Sequence, residues 1–183
     1  TVRMYSAQLA QPENIVRPLW NKIIEVIPHY QTHFKVDGVM IDMGHALPAD
    51  LKRGLVARAR QVDPDFALWA EEFNITPAAR EEGYNVCVGP FMQTVRNPEH
   101  FRNWLRWLHG AGLPVPFMAM AENHNCPRAV HWPGGMAYAL YAQAIGAFLP
   151  GVHYLHNGIE LAEPVPVNTG FDFTNEEVAQ LPP

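Results

Sequence analysis

Val36-Asp37-Gly38-Val39-Met40-Ile41-Asp42-Met43-Gly44-His45 is the stretch on which the reading of the fold turns. Its centre, Val39-Met40-Ile41, is a short apolar run and reads as a buried strand. Asp42 follows directly. A carboxylate at the end of an apolar strand is costly unless it is solvated, paired or used.

Upstream of this strand, Pro18-Leu19-Trp20 opens a helix with proline in its first turn. Trp20, Ile23, Ile24, Ile27, Tyr30 and Phe34 recur at helical spacing, and Pro28 is expected to kink or divide that helix. Downstream, a second helix is expected from Pro48 through Arg60, with Leu51, Leu55 and Ala59 on one face. Asp63-Pro64-Asp65 reads as a turn and Phe66 to Ala70 as the next strand. The theme then repeats. Val86-Cys87-Val88 is a short strand, and Phe101, Trp104, Leu105 and Leu108 form a helix face. Phe117 to Ala121 is a strand, Met136, Leu140 and Ala144 line a helix, and Val152 to Leu155 is the last strand. Five strands separated by helical or loop material predict an α/β protein built from βα units with a parallel sheet. A closed eight-stranded barrel takes about 250 residues. A chain of 183 residues is therefore expected to supply about half a barrel or a smaller open sheet.

Composition narrows the function. Hydrophobic residues make up 48% and charged residues 17%, in keeping with substantial buried surface. The formal net charge of −5 argues against nucleic acid as a partner, because phosphate binding calls for a basic face. No apolar run is long enough to span a bilayer as a helix. The start at Thr1-Val2-Arg3, with no Met and no signal sequence, suggests a fragment or a processed chain and leaves the compartment open. Cys87 and Cys126 form no CxxC pair and are expected to be reduced, buried thiols.

Three expected strands end in polar groups: Asp42, then Glu71-Glu72, then Glu122-Asn123-His124-Asn125. In parallel α/β folds the carboxyl ends of the strands converge on the ligand site. Two carboxylates about 5 to 5.5 Å apart run retaining glycoside chemistry. Neighbouring strands lie about 4.8 Å apart, so adjacent strand ends can meet that distance. Strand-end caps or salt-bridge partners are the structural alternative for Asp42 and Glu71.

Four segments together resemble the conserved regions of the α-amylase superfamily, glycoside hydrolase family 13. The stretch 36–45 is similar to the region that ends the fourth barrel strand and carries the nucleophile. Leu68-Trp69-Ala70-Glu71-Glu72-Phe73 resembles the fifth-strand region with the general acid/base. Ala121-Glu122-Asn123-His124-Asn125-Cys126-Pro127-Arg128 resembles the seventh-strand region. The stretch 149–160 is similar to the segment around the eighth strand. The resemblance implies a partial (β/α)8 TIM barrel, strands 4 to 8 with their helices. Residues 1–183 would form a single domain, the C-terminal portion of a glycoside hydrolase catalytic barrel.

By this resemblance Asp42 is the nucleophile and Glu71 the acid/base, with Glu72 the alternative if the register differs by one. His124 would hydrogen-bond sugar hydroxyls, and His45 and Trp132 would line flanking subsites, Trp132 by stacking on a pyranose face. Arg128 and Glu160 are assigned to structure. The implied activity is a retaining α-glucan hydrolase or glucanotransferase working by double displacement. Its ligand would be an α-glucan or maltooligosaccharide, and it would use no metal and no other cofactor.

Two positions depart from the family pattern. Met40 stands where an arginine usually precedes the nucleophile, and Asn125 stands at a catalytic position usually held by aspartate. The two changes remove one charge of each sign, which would keep the site near electrical balance. The family's first conserved region has no counterpart in this sequence. The chain alone is therefore expected to lack turnover. It would need the N-terminal half of the barrel, or self-associate through exposed sheet edges. Two further readings are a non-catalytic relative that binds glucan or a partner, and a barrel enzyme using Asp42 and Glu71 as Mg²⁺ ligands.

Overall fold

Gly38 sets how closely the first two strands approach. A Cβ at that position would lie 2.7 Å from Ala67 Cβ and 2.8 Å from Ala67 O. With only hydrogen there, strand β1 (Gly38–Ile41) pairs in parallel with β2 (Ala67–Ala70), and β2 pairs in parallel with β3 (Val86–Cys87). This computed structural model describes residues 6, 8–9, 11–167 and 175–179; the opening Thr1-Val2-Arg3 lies outside them. The chain divides into two units, residues 1–88 and 89–183.

In the first unit the sheet order is β1-β2-β3, so β1 is an edge strand. Three helices accompany β1 and β2: α1 (Arg17–Ile24), α2 (Val26–Phe34) and α3 (Ala49–Val62). The α3 stripe of Leu51, Leu55 and Ala59 is buried as its four-residue spacing requires. Ile27 of α2 and Ile41, Leu68 and Ala70 of the strands are buried with it. Gln31 of α2 ties the layers by donating from Nε2 to the Ala59 carbonyl at 3.1 Å. The short helix α4 (Pro77–Glu81) connects β2 to β3.

The helix expected to break at Pro28 breaks instead at Glu25. Pro28 sits at the third position of α2 and is buried. A first-turn proline lacks an N–H that would have no helical partner there, so it is tolerated without a break. The α3 helix starts after Pro48 and runs past Arg60 to Val62.

In the second unit β4 (Met118–Ala119) pairs in parallel with β5 (Val152–His153). Both are shorter than the runs 117–121 and 152–155 anticipated. The ladder is carried beyond their ends by Val152 N donating to Phe117 O at 2.8 Å and Tyr154 N to Ala119 O at 3.1 Å. The helices are α5 (Phe91–Thr94), α6 (Pro98–Ala111), α7 (Gly135–Phe148) and α8 (Asn175–Val178). Asn97 caps α6, its Oδ1 accepting from Glu99 N at 2.9 Å and His100 N at 3.0 Å, with Pro98 at the first position. The α6 face of Phe101, Trp104 and Leu108 is buried. Phe91, Phe101, Trp104 and Phe117 form an aromatic cluster with ring centroids 5.1 to 6.3 Å apart. Cys87 and Cys126 are both buried. Among the described residues no helix is long and apolar enough to cross a membrane.

Candidate functional site

The register of β1 on β2 decides what faces what. Ile41 stands opposite Ala70, so Asp42 and Glu71 are the first residues beyond the last paired position of each strand. Residues opposite one another in a parallel ladder project to the same face. The Asp42 carboxyl lies near enough to that of Glu71 to act on its ionisation. Asp42 is exposed and Glu71 half-buried. The register brings Glu71 to Asp42, whereas the neighbouring Glu72 lies near Tyr84 and acts on its hydroxyl.

Burial pushes the Glu71 pKa up, and the adjacent Asp42 pushes it further the same way. Two contacts oppose the rise: the Met43 N–H, which donates to Glu71 Oε2 at 2.7 Å, and the nearby His45. The rise prevails, so Glu71 holds its proton to higher pH than an ordinary glutamate. His45 donates from Nδ1 to the Glu71 carbonyl at 3.2 Å. Asp42, Glu71 and His45 therefore share one strand-end cluster.

The turn that places the Met43 amide is strained. Met43 has φ of +49°, a left-handed backbone conformation uncommon outside glycine. Gly44 follows, and a Cβ there would meet Tyr84 Oη at 3.0 Å and Ile41 Cγ2 at 3.2 Å. Burial pushes the Tyr84 hydroxyl up to about 12, with Glu82 and Glu72 adding to the shift, so Tyr84 stays neutral beneath the turn. Nothing in the sequence pattern singled out Met43, because its contribution is a backbone N–H. Met40, two residues before Asp42, is 41% exposed.

The remaining expected site residues lie in the second unit. His124 and Asn125 sit in a loop after β4, His124 exposed and Asn125 half-buried. The Asn123 side chain shapes this loop, its Oδ1 accepting from Asn125 N at 2.8 Å. Trp132 is half-buried, and the Arg96 guanidinium lies over its ring, 3.5 Å from the centroid. A sugar stacked on Trp132 would have to use the opposite face. Arg128 is buried and paired with Glu122, while Glu160 is exposed. Among the described residues no group of three or more His, Cys, Asp or Glu side chains is arranged to hold a metal ion.

No protein-family model matches this sequence, and no curated protein does either. Solved structures do match in fold. An α-amylase from Geobacillus thermoleovorans, complexed with acarbose, is 14% identical with a TM-score of 0.69. The match covers 91% of this chain and 44% of that one. A cyclic α-maltosyl-(1→6)-maltose hydrolase from Arthrobacter globiformis is 15% identical with a TM-score of 0.70, over 94% of this chain and 42% of that one. A debranching enzyme from Nostoc punctiforme gives 14% identity and a TM-score of 0.68, over 89% and 42%. The chain thus has the α/β fold of part of these glycoside hydrolases and spans less than half their length.

Proposed function

We propose that this chain is the C-terminal half of the catalytic barrel of a retaining, α-glucan-active glycoside hydrolase or glucanotransferase. The observation that carries the reading is the juxtaposition of Asp42 and Glu71 on neighbouring strand ends, with the Glu71 pKa raised. The shared fold with α-amylase and related hydrolases supports it.

In this reading Asp42 attacks the anomeric carbon while Glu71 gives its proton to the departing glycosidic oxygen. A glycosyl ester on Asp42 results. Glu71, now ionised, takes a proton from water or a sugar hydroxyl, whose oxygen attacks the anomeric carbon, breaks its bond to the Asp42 oxygen and frees Asp42. A group that keeps its proton to higher pH than an ordinary glutamate suits the first half of that cycle, and the burial of Glu71 favours that form. His45, His124, Asn125 and Trp132 would contact neighbouring sugar units. An N-terminal barrel half would supply the rest of the subsite walls, and β1, at the edge of its sheet, is the strand it would join. Without it the chain would lack turnover and would pair its open edges with a second copy.

The test is to trap the intermediate with a fluorinated glucosyl fluoride on a polypeptide carrying the complete barrel. Peptide mapping should find the label on Asp42. Turnover of maltooligosaccharides with no label, or label elsewhere, would overturn the assignment. A non-catalytic glucan-binding relative is the second reading, favoured by the exposed Met40 beside Asp42 and by Asn125. Maltooligosaccharide binding without turnover in that same polypeptide would select it.

A further inference from the structure

Glu122, Arg128 and His156 are 1%, 1% and 8% exposed, and all three side chains meet. Burying a charge pair is expensive and often no better for stability than an apolar core, so what this one holds in place is informative. Glu122 and Arg128 bracket the short loop that bears His124 and Asn125. Glu122 Oε2 accepts from the Ala129 N–H and so closes that loop on itself. Glu122 Oε1 lies 3.1 Å from Arg128 Nε and 2.9 Å from His156 Nδ1.

Arg128 then anchors the closed loop to the segment after β5. Its Nε donates to the Glu163 carbonyl at 3.0 Å and its Nη2 to the Asn157 carbonyl at 2.8 Å. Its Nη1 stands 2.9 Å from His156 Nδ1. His156 Nδ1 therefore stands between the Arg128 guanidinium and the Glu122 carboxylate. Gly158, at φ of +91°, leaves room for the anchor, since a Cβ there would lie 2.8 Å from Arg128 Nη2.

We propose that Glu122, Arg128 and His156 are positioning residues, a buried clamp that fixes the 123–127 loop so that His124 and Asn125 are presented to a saccharide ligand in one arrangement. The saccharide part rests on the function proposed above, whereas the clamp stands on the contacts themselves. A guanidinium is required at its centre because one planar fork serves two carbonyls, a carboxylate and an imidazole at once. An ammonium keeps the charge but not that geometry.

The test combines Arg128→Lys and His156→Gln in the full chain with amide hydrogen exchange and titration of maltohexaose. Arg128→Lys should raise exchange at residues 123–127 about ten-fold or more while α6 keeps its protection, and should weaken maltohexaose binding about five-fold or more. His156→Gln should loosen the same amides by a smaller factor. Unchanged loop exchange in both variants, or an equal rise across α6 and the loop, would overturn the clamp. If Arg128→Lys fails to fold, His156→Gln alone decides on the same criterion. Loosening of the loop with undiminished maltohexaose affinity would overturn its role in presentation. Unmodified protein that ignores maltohexaose while the variants loosen the loop would sink the saccharide reading and leave the clamp standing.

Discussion

Asp42 and Glu71 stand one residue beyond the last paired positions of two neighbouring parallel strands, close enough for Asp42 to raise the Glu71 pKa. Burial first, and the neighbouring Asp42 after it, favour the protonated form of Glu71. The first expected outcome concerns pH. Folded Glu71 binds its proton more tightly than unfolded Glu71, so its contribution to stability is complete below the ordinary glutamate range. That contribution is lost as pH rises through the folded Glu71 value. Denaturation midpoints measured across that window should fall with rising pH, and Glu71→Gln should flatten the slope. Asp42→Asn should bring the Glu71 titration down in carbon-13 NMR without restoring it fully, since the burial remains.

Removing either carboxyl should cost activity. In a polypeptide with the complete barrel, Asp42→Asn and Glu71→Gln are each expected to lower kcat/KM on maltooligosaccharides by about 10² to 10⁴-fold, the usual worth of one positioned acid or base. A donor with an activated leaving group should restore much of the first step in Glu71→Gln and none in Asp42→Asn. Steady-state kinetics with both donors would show the split.

Gly38→Ala should destabilise the first unit. The new methyl group would sit 2.7 Å from Ala67 Cβ and push β1 from β2. Overpacking of this kind costs about 1 to 3 kcal/mol. Chemical denaturation measures it, and a shifted Glu71 titration in the same variant would show that strand spacing sets the carboxyl pair.

Asn97→Ala should cost about 1 kcal/mol, the usual loss for a helix cap. Its Oδ1 serves two first-turn amides of α6. Exchange at Glu99 and His100 N–H groups should rise with it, and the loss should be insensitive to salt because no ion pair is broken.

Periodicity carried most of the fold to the surface of the sequence. Leu51, Leu55 and Ala59, and Phe101, Trp104 and Leu108, repeat at helical intervals because each helix buries one stripe. Strand ends were less visible, since the partner decides where a ladder stops. The expected run 117–121 is regular strand over Met118–Ala119, with Phe117 adding a single bridge and residues 120–121 outside the ladder. Likewise Pro28 reads as a breaker until its place in the first turn of α2 is known. In the candidate site, Asp42 and Glu71 stood out as charges after apolar runs. The choice between Glu71 and Glu72 is a matter of register, which one strand's sequence does not contain. Met43 acts through its backbone, and the Arg96 guanidinium on Trp132 comes from a distant helix junction, so neither announces itself locally.

The two cysteines have a practical consequence. Cys87 belongs to the first unit and Cys126 to the second, and both residues are buried. An alkylating reagent can modify each one only during an opening event, so the two labelling rates form a pair of internal clocks. Read separately by mass spectrometry, they time the loosening of each half of the molecule without any introduced probe.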